Sequence, residues 1–468
     1  MDQTLPTIKG AGLKDEVEGA GRFSEMFERA AAVLRRNDMG GWTRAAAGLY
    51  PHQWSWDSAF IAIGLAHLDV QRAGHELSTL FANQWANGKV PHIVFNPNAP
   101  PGSYLLGPEH WMPATLEKLD PSSPRRVTSA LCQPAVHAVA ALKIWEAAEV
   151  AGEAATDTAR AILTNLYPKL YAWHRYLMSK RDPEGSGLVT IYHPWESGTD
   201  NSPRWDKALL AVEVGEMLPY QRPDLRFVDE PSERPTKEEY DRYLWLVELL
   251  KRSFYDEAEI YRSHPFLVKD VLFSAILVCA NEALLKIAGL IGVPDEERTR
   301  IEDWTARGRQ GLKECWDPDL GLCLDYDLRA GRPLCVRTVA GFAPLLAGAY
   351  EPWQLDALLK ALYSLDFLGY AGLRWPLPPS TSPREVRFHP RAYWRGPIWP
   401  IISWLFWRSL RGAGEEERAA ELRSAALEQL AAGGFAEYFE PLTGEPLGSD
   451  DQSWTAAVAL DWLAEGDW

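Results

Sequence analysis

Cysteine, basic charge and long apolar runs are all in short supply in this 468-residue chain, and each shortage excludes a class of protein. The five cysteines, Cys132, Cys279, Cys315, Cys323 and Cys335, are odd in number, with no CxxC pair and no Cys/His spacing that suits a metal. A disulfide framework and a zinc ribbon are thereby excluded, and free thiols in a reducing cytoplasm are expected, with no metal and no cofactor. The longest apolar stretches, around residues 61–68 and 271–280, have the length of core helices, short of the roughly 18–20 residues that span a bilayer, so no membrane insertion is expected. Nothing in the first residues, MDQTLPTIKGAGLKDEV, resembles a signal peptide, which again leads to a cytoplasmic expectation. Lys and Arg total 48 against 64 Asp and Glu, a formal charge of −16. A field of that sign repels polyanions, so nucleic acid is excluded as a partner.

Tryptophan, by contrast, is abundant, at 21 residues. Its flat apolar face and single donor suit sugars, which present C–H faces and hydroxyl edges, so a carbohydrate site is one reading and core packing the other. The dominant periodicity is helical. Phe23, Met26, Phe27, Ala30, Val33 and Leu34 recur at steps of three and four, and similar patterns fill about 128–150, 158–179, 236–254, 266–290 and 398–410. Strict alternation is confined to short stretches beside Gly or Pro, such as residues 187–193 and 321–327, which read as hairpin ornaments. Similar turns follow successive helices at residues 182–188, 317–322 and 441–445, where Pro halts the helix and Gly reverses the chain. Recurrent loops of this kind imply helical hairpins around an axis with their functional loops at one end. The expectation is an all-α fold, an (α/α)6 toroid over residues 20–468, preceded by an extension at 1–19. A proline-rich excursion at 88–127 reads as a lid-like loop, and a second excursion spans 373–397.

Four stretches are candidates for chemistry. Residues 50–57 (YPHQWSWD) set two tryptophans beside Asp57, which is either a sugar-binding acceptor or a helix cap. Residues 193–206 (HPWESGTDNSPRWD) hold Glu196, Asp200 and Asp206, any of which is either functional or a solvated or capping acid. Residues 433–444 place Glu437 among aromatics on a loop equivalent to that of Asp200. Two carboxylates on loops at one end of a toroid are what glycoside hydrolysis requires, one to protonate the leaving oxygen and one to activate water. Residues 391–399 (RAYWRGPIW) offer Tyr393 and Trp394 as a clamp for a ring, with packing as the alternative.

Taken in order, YPHQWSWD, GKVPHIVFN, WESGTDNSPRWD, YWRGPIWP and EYFEPLTGE resemble glycoside hydrolase family 63, and within it the bacterial branch of mannosylglycerate and glucosylglycerate hydrolases. The resemblance implies a single (α/α)6 barrel and an inverting mechanism with Asp200 as general acid and Glu437 as general base. It also implies that Tyr50, Trp54, Trp56 and Asp57 hold the sugar, that Tyr393, Trp394 and Trp399 wall it, and that His92 and Gln133 contact substrate. Tyr104 would belong to the closing loop, and Arg234 and Tyr240, from RPTKEEY, would grip the glycerate carboxylate. The implied partner is therefore a small anionic glycoside, with self-association left open. Pro446 and Gln452 depart from the family's usual residues close to Glu437. The alternatives are another α-glucoside hydrolase, trehalase-like or acting on oligosaccharides, and a non-catalytic sugar-binding protein. Nothing in the sequence chooses between glucose and mannose, which differ at one hydroxyl.

Overall fold

A computed structural model describes residues 12–111, 114–217, 219–227 and 230–465. Six helices form a closed ring in which each packs on the next: Ser55–Ala66, His137–Ala151, Val271–Ile291, Ala343–Ala347, Pro400–Gly412 and Ser453–Ala464, the last returning to the first. Alternating with them along the chain come Gly12–Asn37, Val70–Phe81, Glu153–Lys180, Asp295–Glu314, Pro352–Leu362 and Glu416–Gly433. Of these outer helices, all but Pro352–Leu362 pack extensively on a ring member. The arrangement is the (α/α)6 toroid. Its first helix begins at Gly12, inside the stretch read as an extension.

Position in the ring explains the composition of each helix. Every residue of Ser55–Ala66 is buried, as are residues 453–463, because a ring helix has neighbours on both flanks and a third behind it. A one-sided apolar stripe is then unnecessary. The outer Val70–Phe81 keeps such a stripe, in which Ala73, Gly74, Glu76, Leu77, Leu80 and Phe81 are buried. Val271–Ile291 is long and apolar enough, by length and composition, to cross a bilayer, although Ser274, Asn281, Glu282 and Lys286 interrupt its apolar run. Its place in the ring accounts for that composition: most of it is buried against the helices on either side.

The alternation also decides where loops gather. Each segment leading from an outer helix into the ring ends at the N-terminus of a ring helix, so these segments share one rim. Strands occur there only in short pieces among the described residues. Residues 321–327 do form hairpins, Trp316–Asp317 with Leu322–Cys323 and Asp325–Asp327 with Arg332–Leu334, whereas Thr190–Ile191 finds its partner far along the chain: Thr190–Ile191, Val268–Lys269, Asp325–Asp327 and Arg332–Leu334 form one antiparallel sheet in that order. Local alternation carries no information about such distant partners. The excursion at 88–127 folds over a second, smaller apolar cluster, in which Trp54, Trp85, Phe95 and Trp111 meet Tyr192 and Tyr255. All five cysteines are free thiols.

Candidate active site

At this rim lies a cavity of about 980 Å³, counted to its open mouth. Asp57 enters it from the first turn of Ser55–Ala66, Gln133 from the approach to His137–Ala151, Asp200 from the long passage before Val271–Ile291, and Trp394 from the approach to Pro400–Gly412. Glu437, Gln452 and Trp454 come from the entry into Ser453–Ala464. The N-termini of Ser55–Ala66 and Ser453–Ala464 thus face the cavity, and their partial positive charge favours anionic groups there.

Glu437 is 1% exposed and closely oriented. Its Oε1 accepts from the hydroxyls of Tyr50 (2.7 Å) and Tyr393 (3.1 Å), and its Oε2 from the Ser449 amide (3.0 Å). Gly448 permits that last bond. It sits at φ +77°, and a Cβ there would lie 2.5 Å from Glu437 Oε2. Tyr393 is itself held in a left-handed conformation, φ +50°, which is costly for an aromatic residue and here aims its hydroxyl at the carboxylate.

Asp200 keeps limited access to solvent through the cavity and is otherwise enclosed. Burial pushes its carboxyl up to about 7; Arg234 opposes the rise and Glu437 adds to it. The loop carrying it is pinned from both sides. Glu196 is fully buried and accepts two bonds of 2.7 Å from Arg181, one of 2.7 Å from the Tyr192 amide and one of 3.2 Å from the Cys132 amide. Burial would raise this carboxyl, but Arg181 outweighs it and holds it at about 2. Glu196 is therefore a structural anion that joins the Asp200 loop to the segment bearing Gln133. On the other side, Asn201 accepts from the Trp394 amide at 2.8 Å, and Asp206 pairs with Arg395 and Arg387. Gly198, at φ +72°, lets the loop pass the Trp56 ring, which a Cβ would approach to 2.6 Å.

A third carboxyl, Asp57, is pushed well above its ordinary range by burial and by the charges of Glu437 and Asp200. Aromatic faces complete the enclosure. Trp54 meets Tyr50 and Tyr104 edge-on at 5.2 and 5.3 Å, and Trp394 stacks on Trp399 at 3.8 Å and 2°. Gln133 accepts from the Trp56 amide at 3.3 Å, which leaves its amide nitrogen to donate. Tyr240 and Arg234 also line the cavity. The Arg234 guanidinium lies 4.6 Å from the centre of the Tyr393 ring, is 8% exposed, and has Nε and Nη2 without a hydrogen-bond partner.

All the expected site residues line this cavity except two. His92 lies behind the wall: its ring bonds the Ser129 hydroxyl, and its carbonyl accepts from the Ser55 amide at 2.9 Å, so it braces the start of a ring helix and does not contact the cavity. Trp399 is fully buried behind Trp394 and donates to the Tyr393 carbonyl at 3.2 Å. Sequence reasoning missed Asp224, which also lines the cavity. It holds Arg222 at 2.6 Å, and Arg222 in turn covers the Tyr240 ring at 3.6 Å. The neighbouring Arg and Asp in QRPDLRF were the available signal.

A toroid of helical hairpins with two carboxylates, Asp200 and Glu437, lining one aromatic cavity is the arrangement of a glycoside hydrolase. The family model "Mannosylglycerate hydrolase MGH1-like glycoside hydrolase domain" matches residues 50–455, and the chain belongs to that family. It is 46% identical to the glucosylglycerate hydrolase of Mycolicibacterium hassiacum over 94% of this chain and 98% of that one. Identity to the mannosylglycerate hydrolase of Thermus thermophilus is 43%, over 93% of this chain and 99% of the relative. A crystal structure of a family 63 mannosylglycerate hydrolase from Thermus thermophilus, in complex with Tris and D-glycerate, superposes with a TM-score of 0.84 at 42% identity, covering 93% of this chain and 99% of that chain.

The raised Asp200 carboxyl has a cost in stability. Between the unfolded value, about 4, and the folded value, about 7, the folded state keeps a proton that the unfolded state has shed, so stability falls as pH rises through that window. Asp200→Asn removes the titration. Its melting temperature is expected to match the wild type near pH 4 and to exceed it by roughly 2 °C or more at pH 8. Thermal unfolding at the two pH values checks this, and equal melting temperatures at pH 8 would contradict it.

Proposed function

We propose that the protein hydrolyses glucosylglycerate or mannosylglycerate with inversion, with residues 20–468 acting as one catalytic unit. The observation that carries this reading is Arg234: a buried guanidinium with two unpartnered donor atoms, beside a pair of carboxylates in an aromatic cavity. Buried donors without acceptors are costly, so the site is built for an anion that arrives with the substrate. A glycerate carboxylate supplies one. With its acid end on Arg234 and Tyr240, such a substrate presents its sugar to Trp54, Trp56 and Trp394. Tyr104, from the loop at 88–127, covers the site beside Trp54.

In this mechanism Asp200 donates its proton to the glycosidic oxygen as the bond to the anomeric carbon breaks. A value of about 7 keeps a useful fraction of the acid protonated at neutral pH. Glu437, oriented by two tyrosines and the Ser449 amide, takes a proton from the water attacking the opposite face. Inversion requires carboxyl groups about 6.5–9.5 Å apart, leaving room for that water.

Proton NMR of the first sugar released tests the stereochemistry: β-glucose or β-mannose is expected, and the α-anomer would refute inversion. Asp200→Asn and Glu437→Gln are each expected to lower kcat by about a hundred- to ten-thousand-fold with folding intact. Because the acid must carry its proton, kcat/KM should decline as pH rises through about 7. Arg234→Ala is expected to raise KM for a glycosylglycerate by about ten- to a hundredfold, and far less for an uncharged α-glucoside. Equal losses on both substrates would remove the carboxylate role from Arg234.

A further inference from the structure

Among the described residues Arg234 has no salt-bridge partner, although the residue before it is a glutamate. Glu233 is 4% exposed, and its carboxylate is held by Arg391, whose Nε donates to Oε1 at 2.7 Å. The same guanidinium bonds Glu445 through Nη1 at 2.6 Å. Arg391 is thus shared by two acids on separate segments. Glu233 precedes Arg234, and Glu445 closes the turn of the hairpin that begins beside Glu437 and pairs Tyr438–Phe439 with Pro446–Leu447. Arg391 itself lies two residues before Tyr393, which bonds Glu437 at 3.1 Å and carries the Arg234 guanidinium over its ring. One arginine therefore ties together the segments that bear the anion-binding group, the base and the tyrosine between them.

Resting on the reading of Arg234 above, we propose that Arg391 is a positioning residue that keeps Glu233 occupied, so that the Arg234 guanidinium remains free for the substrate carboxylate. The physical case is one of competition. A buried carboxylate deprived of its partner seeks nearby donors, and the unpartnered ones are the Arg234 guanidinium, on the next residue, and the Tyr438 hydroxyl, of which only the guanidinium carries a charge. Tyr438 feels the charges of Arg234, Glu233 and Arg391 together, which puts the three within electrostatic reach of one residue. An internal pair between Glu233 and Arg234 would neutralise the anion site without altering the catalytic acids. Arg391 touches neither substrate nor acid pair, so its loss should appear in KM for the charged substrate.

The test compares wild type, Arg391→Gln, Glu233→Gln and the double variant on glucosylglycerate and on an uncharged aryl α-glucoside. Arg391→Gln is expected to raise KM for glucosylglycerate by about tenfold, the scale of one lost charge-assisted hydrogen bond, with kcat within about threefold. KM for the aryl glucoside should stay within about threefold. Adding Glu233→Gln should restore most of the lost affinity, a rescue that a purely structural role does not produce. Equal losses on both substrates, or a double variant no better than Arg391→Gln, would overturn the proposal. Wild-type turnover of glucosylglycerate checks the functional reading separately. Hydrogen exchange at the amides of Ser232, Glu233, Arg234 and Thr236 needs no substrate: faster exchange in Arg391→Gln is expected, and unchanged exchange counts against the clasp.

Discussion

Ring closure is the constraint on which the site depends. Once six helices alternate with six outer ones, every passage from outside to inside must end at the same rim, and residues as distant as Asp57, Asp200 and Glu437 have a common destination. The helix ends that meet there present unpaired amides, which makes this rim a favourable place for anions. Apolar packing of the ring, complete along Ser55–Ala66, then withdraws water from the floor of the cavity. That withdrawal, more than the like charge of Glu437, raises the carboxyls of Asp57 and Asp200.

Acidic groups in this region fall into two kinds, distinguished by their cation. Glu196 and Asp206 have arginines of their own and serve as fixed joints between loops. Asp200 and Glu437 have no salt-bridge partner within 4 Å among the described residues, and Glu437 is held by neutral donors. The distinction explains how four acids from two short stretches acquire different work. It also shows why motif spacing alone left Glu196, Asp200 and Asp206 equivalent.

Much of the architecture was legible from periodicity. Helical patterns at 158–179, 266–290 and 398–410 correspond to Glu153–Lys180, Val271–Ile291 and Pro400–Gly412. The pattern from about 128 began too early: residues 128–136 are buried but non-helical, because the run of apolar residues there lines the approach to the ring and contains Pro134. Long-range strand pairing was illegible, since strands of two or three residues carry no usable alternation. The aromatic and acidic residues of the site could be picked out because they cluster in short stretches. Which of them face the cavity could not: His92 and Trp399 lie in the same stretches and differ from their neighbours only in the direction of the side chain.

The paired indoles of Trp394 and Trp399 make one side of the cavity two aromatic layers thick, with the Tyr438 ring stacked behind them at 4.7 Å. Such masonry does not yield to a bulkier guest. Accommodation has to come from elsewhere in the lining, where Ser103, Tyr104 and Leu105 belong to the excursion at 88–127 and not to the ring. Any widening of the cavity would therefore be sought in that excursion, with the indole side acting as a fixed wall.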